Sequence, residues 1–143
     1  MARTSTYVNF RRQTEEAFLF YRDVFGTEFE GPIARLGDAP PAEGHPPIAA
    51  EDRALVIHIV LPILGGHRLM GADAPESLGF HLTPGDAVHL NLEPDTIDEA
   101  RRLFRSLSVG GTVDTPFQKM FWGAWYAAFT DRYGVHWMVN TEE

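Results

Sequence analysis

Thr6-Tyr7-Val8-Asn9-Phe10-Arg11, followed by Thr14-Glu15-Glu16-Ala17-Phe18-Leu19-Phe20-Tyr21-Arg22-Asp23-Val24-Phe25-Gly26, carries the change of period that decides the fold. The first run reads as a short strand. In the second, Ala17, Phe18, Tyr21, Val24 and Phe25 recur at helical spacing and give one apolar stripe. Glu15 and Glu16 suit the positive end of such a helix, and Gly26 reads as its C-cap.

Working outward, Glu28 to Leu36 reads as a second strand, and Gly37 to Arg53, with Pro40, Pro41, Pro46 and Pro47, reads as a long irregular loop. Leu55-Val56-Ile57-His58-Ile59-Val60-Leu61 is rich in β-branched residues and predicts a buried strand. Gly65-Gly66 then turns the chain into a further strand at His67-Arg68-Leu69-Met70. The order is β-α-β-β-β, over a module running from about residue 4 to 78.

The same order recurs in a second module, from about residue 84 to 143. Ala87 to Leu92 predicts a strand, and Thr96 to Leu107 a helix with Asp95 or Thr96 as N-cap. Strands near Gly111 to Thr115, from Gly123 to Thr130 and from Val135 to Asn140 follow, the last two joined by the turn Asp131-Arg132-Tyr133-Gly134. Tyr21 and Phe104 stand 83 residues apart, and Gly66 and Gly134 stand 68 apart, a difference that matches the proline-rich loop of the first module. Residue identity between the halves is low, so two unrelated α+β halves remain the competing interpretation.

A chain of 143 residues with 44% hydrophobic and 22% charged residues can bury a core without disulfide or metal staples. Its 20 acidic against 12 basic residues give a net charge of -8, which repels nucleic-acid backbones and anionic membranes. No cysteine is present, which excludes disulfides, thiolate metal sites and a cysteine nucleophile. The N-terminal residues lack the apolar core of a signal peptide, and the greasiest run, Leu55 to Leu64, is too short to span a bilayer. The expectation is a cytoplasmic protein with neither a nucleic-acid nor a membrane partner.

Asn9-Phe10, Glu15-Glu16-Ala17 and Phe20-Tyr21-Arg22-Asp23-Val24-Phe25-Gly26 resemble the opening module of the PhnB-like branch of the vicinal oxygen chelate superfamily, the glyoxalase/bleomycin-resistance/dioxygenase group. His58, Gly65-Gly66, Leu69-Met70 and Asp73 are similar to that branch's third and fourth strands, and Ala100 to Phe104 with Gly110-Gly111 to its second helix. Phe121-Trp122-Gly123, Asp131, Gly134 and His136-Trp137-Met138-Val139-Asn140 resemble its closing signature. The resemblance implies an α+β domain over residues 1–143, with two βαβββ modules forming an incomplete eight-stranded barrel around a cavity, commonly as a homodimer. The reaction stays open, because the group spans lyases, dioxygenases, epimerases and antibiotic-sequestering proteins.

Metal-using members of the group place one ligand at the start of each module's first strand and a carboxylate on each module's last strand. Counting equal distances from the helices and from the glycine turns puts Thr6, Met70, His89 and Met138 at those places. A thioether cannot replace a carboxylate for Mg²⁺, Mn²⁺, Fe²⁺ or Zn²⁺. No metal site and no cofactor are therefore expected.

Strand alternation sends His89 and Asn91 to one face of their strand, apart from Val88, Leu90 and Leu92. His89 then serves a ligand or is a hydrogen-bonded structural histidine. Trp122 and Trp125, in the aromatic run Phe117 to Tyr126, are pocket, core or interface residues. His58, inside an aliphatic strand, and His136, beside a turn, are weaker cavity candidates, and His45, His67 and His81 sit in loops or between the modules. The leading expectation is a protein that binds a small organic molecule at Thr6, Met70, His89, Asn91, Trp122, Trp125 and Met138. The alternatives are a metal-dependent lyase, isomerase or dioxygenase with relocated ligands such as His58, His89 and His136, and a non-catalytic dimeric module for sequestration or interaction.

Overall fold

A computed structural model describes residues 1–40, 44 and 46–142, and the chain divides into two compact units, Met1–Leu82 and Thr83–Glu143. Each unit is one βαβββ module. The first contains β1 (Thr6–Phe10), α1 (Thr14–Phe25), β2 (Ala34–Arg35), β3 (Val56–Pro62) and β4 (Arg68–Asp73). The second contains β5 (Leu90–Leu92), α2 (Ile97–Leu107), β6 (Thr112–Lys119), β7 (Trp125–Thr130) and β8 (His136–Thr141). The eight strands make two four-stranded sheets, ordered β1-β4-β3-β2 and β5-β8-β7-β6, and not one closed barrel.

In both sheets the first strand lies parallel to the last, and the other pairings are antiparallel. A parallel neighbour needs a crossover, which α1 and α2 supply by packing on one face of their own sheets. In the first unit Ala17, Phe18 and Tyr21 of α1 are fully buried together with Leu61 of β3 and Leu69 of β4. In the second, Ala100, Leu103 and Leu107 of α2 are buried with Phe129, Trp137 and Val139.

The helix ends follow local chemistry, with one exception. Gly26 closes α1 at φ 65°, its N–H donating to Arg22 O, as a glycine C-cap does. Thr96 caps α2, its hydroxyl accepting from Glu99 N at 3.1 Å. At the start of α1 the N-cap residue is Gln13, whose side chain makes no cap bond; the carboxylate of Asp73, at the end of β4, takes that role. Its Oδ1 accepts from Thr14 N at 3.1 Å and from the Thr14 hydroxyl at 2.8 Å, while Oδ2 accepts from Val56 N at 2.8 Å. One side chain thus joins the start of the helix, the start of β3 and the end of β4.

The run Glu28 to Leu36, expected as a strand, is one only at Ala34–Arg35. Arg35 is held by Glu15 of α1 through two hydrogen bonds of 3.1 and 2.6 Å, and the guanidinium lowers the Glu15 carboxyl below its usual range. Both ends of the proline-rich loop are tied: Gly37 N donates to Arg53 O, and the buried Asp52 accepts from Arg12 at 2.7 Å and from the Ser77 hydroxyl at 3.2 Å. Residues 41–43 of that loop and His45 lie outside the described residues. Among the described residues no helix is long and apolar enough to cross a membrane.

Gly71 of β4 lies directly beneath α1. A Cβ there would stand 2.7 Å from Phe18 Cε1, and Phe18 is fully buried edge-on to Phe10 and Tyr21, so it has nowhere to retreat. Gly71→Ala should cost about 1–3 kcal/mol, the usual effect of overpacking. A urea denaturation midpoint equal to that of the wild type would contradict this reading of the helix–sheet contact.

Candidate functional site

The register of the first and last strands decides which residues share a face in each unit. In the first unit Tyr7 pairs with Met70 and Thr6 with Leu69. Paired residues on adjacent strands point the same way. Tyr7 therefore shares the face of Met70, whereas Thr6 shares that of buried Leu69, on the helix side of the sheet. Thr6 is engaged there with His67, its hydroxyl 2.8 Å from Nε2. The face away from the helix carries Tyr7 stacked on His58, with ring centroids 6.2 Å apart, and Ser5 donates to Met70 Sδ at 3.4 Å. Partial burial raises the pKa of the Tyr7 phenol.

In the second unit Asn91 pairs with Met138, and Met138 with Ala128 of β7. Tyr126 and Asn140 form the next pair on that face, and Thr130 and His136 the one on the other side. His89 immediately precedes β5, its ring 5.3 Å from that of His136. His89, Asn91, His136 and Met138 thus come together, as alternation predicts. Trp125 does not join them: it pairs with Thr141, on the face of Val139 and Trp137, stacks on Phe117 at 5.3 Å and lies near the Arg101 guanidinium. Trp122, in the β6–β7 turn, is half-exposed and sets its ring edge-to-face against Tyr126 at 6.4 Å.

Met70 and Met138 occupy equivalent positions, so Tyr7 is the counterpart of Asn91. Tyr7 precedes the first residue of α1 by seven positions and Asn91 precedes that of α2 by six, so the first module has one more residue between strand and helix; the counterpart of His89, two residues before Asn91, is then Ser5, and equal counting from the helices lands one residue past it, on Thr6. A shift of one residue along a strand reverses the face. Ser5 and Tyr7, on the face of Met70, are the positions that sequence reasoning missed, and the sequence holds no local sign of the extra residue.

These positions do not fit a divalent metal. A phenol, an amide and two thioethers offer no carboxylate at the paired positions, and His89, two residues before Asn91, is the one good ligand beside them. Within each unit, among the described residues, no three His, Asp or Glu side chains are grouped so that they hold an ion. His136 is also committed: Nε2 lies 2.7 Å from Gly85 O, and a carbonyl only accepts, so Nε2 carries the proton. Nδ1 shares a hydrogen bond of 2.8 Å with the Thr130 hydroxyl. The ring is oriented through both nitrogens, each already engaged within the unit.

Asp131 holds β8 in this register. Only 3% exposed, it accepts at Oδ1 from Tyr133 N and Val135 N, at 2.8 and 3.0 Å, and at Oδ2 from Trp137 Nε1 at 2.9 Å. Asp131→Asn turns one acceptor into a donor facing a donor, and should cost about 1–3 kcal/mol in urea unfolding. Unchanged stability would show that another group sets the turn.

The family model of the Glyoxalase/Bleomycin resistance protein/Dioxygenase superfamily matches residues 5–139. Protein YjdN of Escherichia coli K12 is 25% identical over 141 residues, covering 95% of this chain and 92% of that protein. The crystal structure of PA1353 from Pseudomonas aeruginosa is similar at 31% identity and a TM-score of 0.82, covering 99% of this chain and 98% of that one. The PhnB protein from Bacillus cereus, described as a putative 3-demethylubiquinone-9 3-methyltransferase, is similar at 25% identity and a TM-score of 0.74, covering 98% and 99%. With both βαβββ modules in place and the family model spanning nearly the whole of them, the chain belongs to the glyoxalase/bleomycin resistance protein/dioxygenase superfamily, with PhnB-like structural neighbours.

Proposed function

We propose that the protein binds a small organic molecule on the methionine-bearing faces of its sheets, without a catalytic metal. One observation carries this reading: the paired first-strand and last-strand positions hold Tyr7 with Met70 and Asn91 with Met138. Such groups recognise organic ligands well. Thioethers adapt their shape to apolar surface, and an amide both donates and accepts hydrogen bonds.

In the second unit Asn91 orients a polar edge of the ligand, Met138 fills against its apolar part, and His89 contributes a ring nitrogen beside them. Trp125 has no part in this, being turned to the helix side. The rival reading, a metal enzyme recruiting His58, His89 and His136, is disfavoured by the two hydrogen bonds that occupy the His136 ring.

A thermal-shift screen of small organic molecules tests the proposal, because a ligand at a hundred times its Kd stabilises the fold by about 2.7 kcal/mol. The hits should persist in chelator. His89→Ala and Asn91→Ala should each weaken them about three- to tenfold, the loss of roughly one hydrogen bond, while Trp125→Phe leaves them unchanged. Hits that vanish in chelator, or a stoichiometric metal lost on His89→Ala, would overturn the proposal.

A further inference from the structure

Of the Asp, Glu, Lys and Arg side chains, only acidic ones fall on the Met138 face of the second sheet. Pairing sets that face out in rows: His136 with Thr130 and Thr112; Asn91 with Met138, Ala128 and Thr115; Asn140 with Tyr126 and Gln118. Two residues on from Asn91, alternation brings Glu93 into the last row, beside Asn140. Two on from Thr112, it brings Asp114 to the opposite edge, at the irregular step in β6. Glu142, just past the end of β8, continues the same alternation. Lys119 pairs with Trp125 and so belongs to the helix side. An anionic ligand on this face meets like charge, whereas a cationic one finds a partner.

Glu93 and Asp114 stand on opposite edge strands, three strand spacings or about 14 Å apart, so one cationic group meets only one of them. The polar neighbours favour Glu93. It stands opposite Asn140 on the adjacent β8 and two residues along β5 from Asn91, so the three side chains leave the sheet about 5 to 8 Å from one another. Glu93 and Asn91 are exposed and Asn140 is half-buried. Among the described residues no Arg or Lys pairs with Glu93. The carboxylate and the two carboxamide oxygens are three acceptor groups, matching the three N–H donors of a primary ammonium. With no three His, Asp or Glu grouped among the described residues, one carboxylate between neutral amides suits a singly charged organic cation and not a divalent ion. His89 and His136 lie at the other end of the face, about 13 Å along the strands from Glu93 and Asn140.

We infer that the ligand is a small apolar primary amine, its ammonium held by Glu93, Asn91 and Asn140 and its body laid over Met138 and Tyr126. This rests on the binding reading above and specifies its chemical class. Met138 pairs with Asn91 and Tyr126 with Asn140, both on the inner strands, so the apolar body runs from the β5 edge toward the middle of the sheet. A thioether and a half-buried phenol ring there cover hydrocarbon without adding charge.

Three probes of one shape separate the charge from the body in NMR titrations of the full chain at neutral pH. Phenethylamine is cationic, phenethyl alcohol neutral and hydrocinnamate anionic. Phenethylamine should bind about fivefold more tightly than the alcohol and about tenfold more tightly than hydrocinnamate. Glu93→Gln should remove its advantage over the alcohol and leave binding of the alcohol unchanged. Glu93 is exposed and lies just past β5, so the fold does not depend on it. Asp114→Asn, the same loss of charge at the far edge, should leave the affinity for phenethylamine within about twofold. Equal or tighter binding of the alcohol or of hydrocinnamate, a Glu93→Gln variant that binds phenethylamine as the wild type does, or an equal loss in Asp114→Asn overturns the amine site and leaves small-molecule binding standing. No binding by any of the three overturns the amine site as well, and an empty thermal-shift screen beside it overturns both readings.

Discussion

Everything the two modules present on their exposed faces depends on the parallel pairing of first and last strand, β1 with β4 and β5 with β8. That pairing demands a helical crossover, and the helix commits one side of each sheet to the core. Leu69 and Gly71 under α1, and Trp137 and Val139 under α2, are the residues so committed. Because the period of a strand is two, their burial leaves the alternate residues, Met70 and Met138, on the other side. The chemistry of those faces is therefore settled by packing beneath them.

Two carboxylates hold the register. Asp73 accepts three hydrogen bonds that join the start of α1, the start of β3 and the end of β4, and Asp131 accepts three within the hairpin that begins β8. Each satisfies backbone donors that would otherwise be left unpaired near the core, where an orphaned group costs more than a typical bond gains. Among the described residues no buried side-chain nitrogen or oxygen lacks a partner. Both aspartates read in the sequence as parts of a family signature, and their bonding gives them structural roles.

The element order was legible because it rests on local signals: the helical stripe from Ala17 to Phe25, the glycine that ends it, and Thr96 before the second helix. Long-range features were not. The cap of α1 comes from Asp73, 59 residues from Thr14, and β2 shrinks to Ala34–Arg35, where pairing with β3 is irregular. Of the candidate site, His89, Asn91 and Met138 lie where alternation puts them. Thr6 gave way to Ser5, with Tyr7 on the same face, because one extra residue separates strand from helix in the first module, and Trp125 turned inward because the aromatic run crosses a turn that resets the alternation at β7. Periodicity within one element reaches neither effect.

A family that includes metal enzymes is represented here by a chain whose paired positions hold phenol, amide and thioether. In our proposal the softness of the two thioethers and the absence of charge in all four donors, and not any single substitution, set it apart from a divalent-metal site. Elemental analysis of the untagged protein, purified without chelator, bears on this most directly. Our account predicts less than about a tenth of a transition metal per chain, whereas close to one per chain would mean that ligands other than these form a centre and that the register argument does not describe the site.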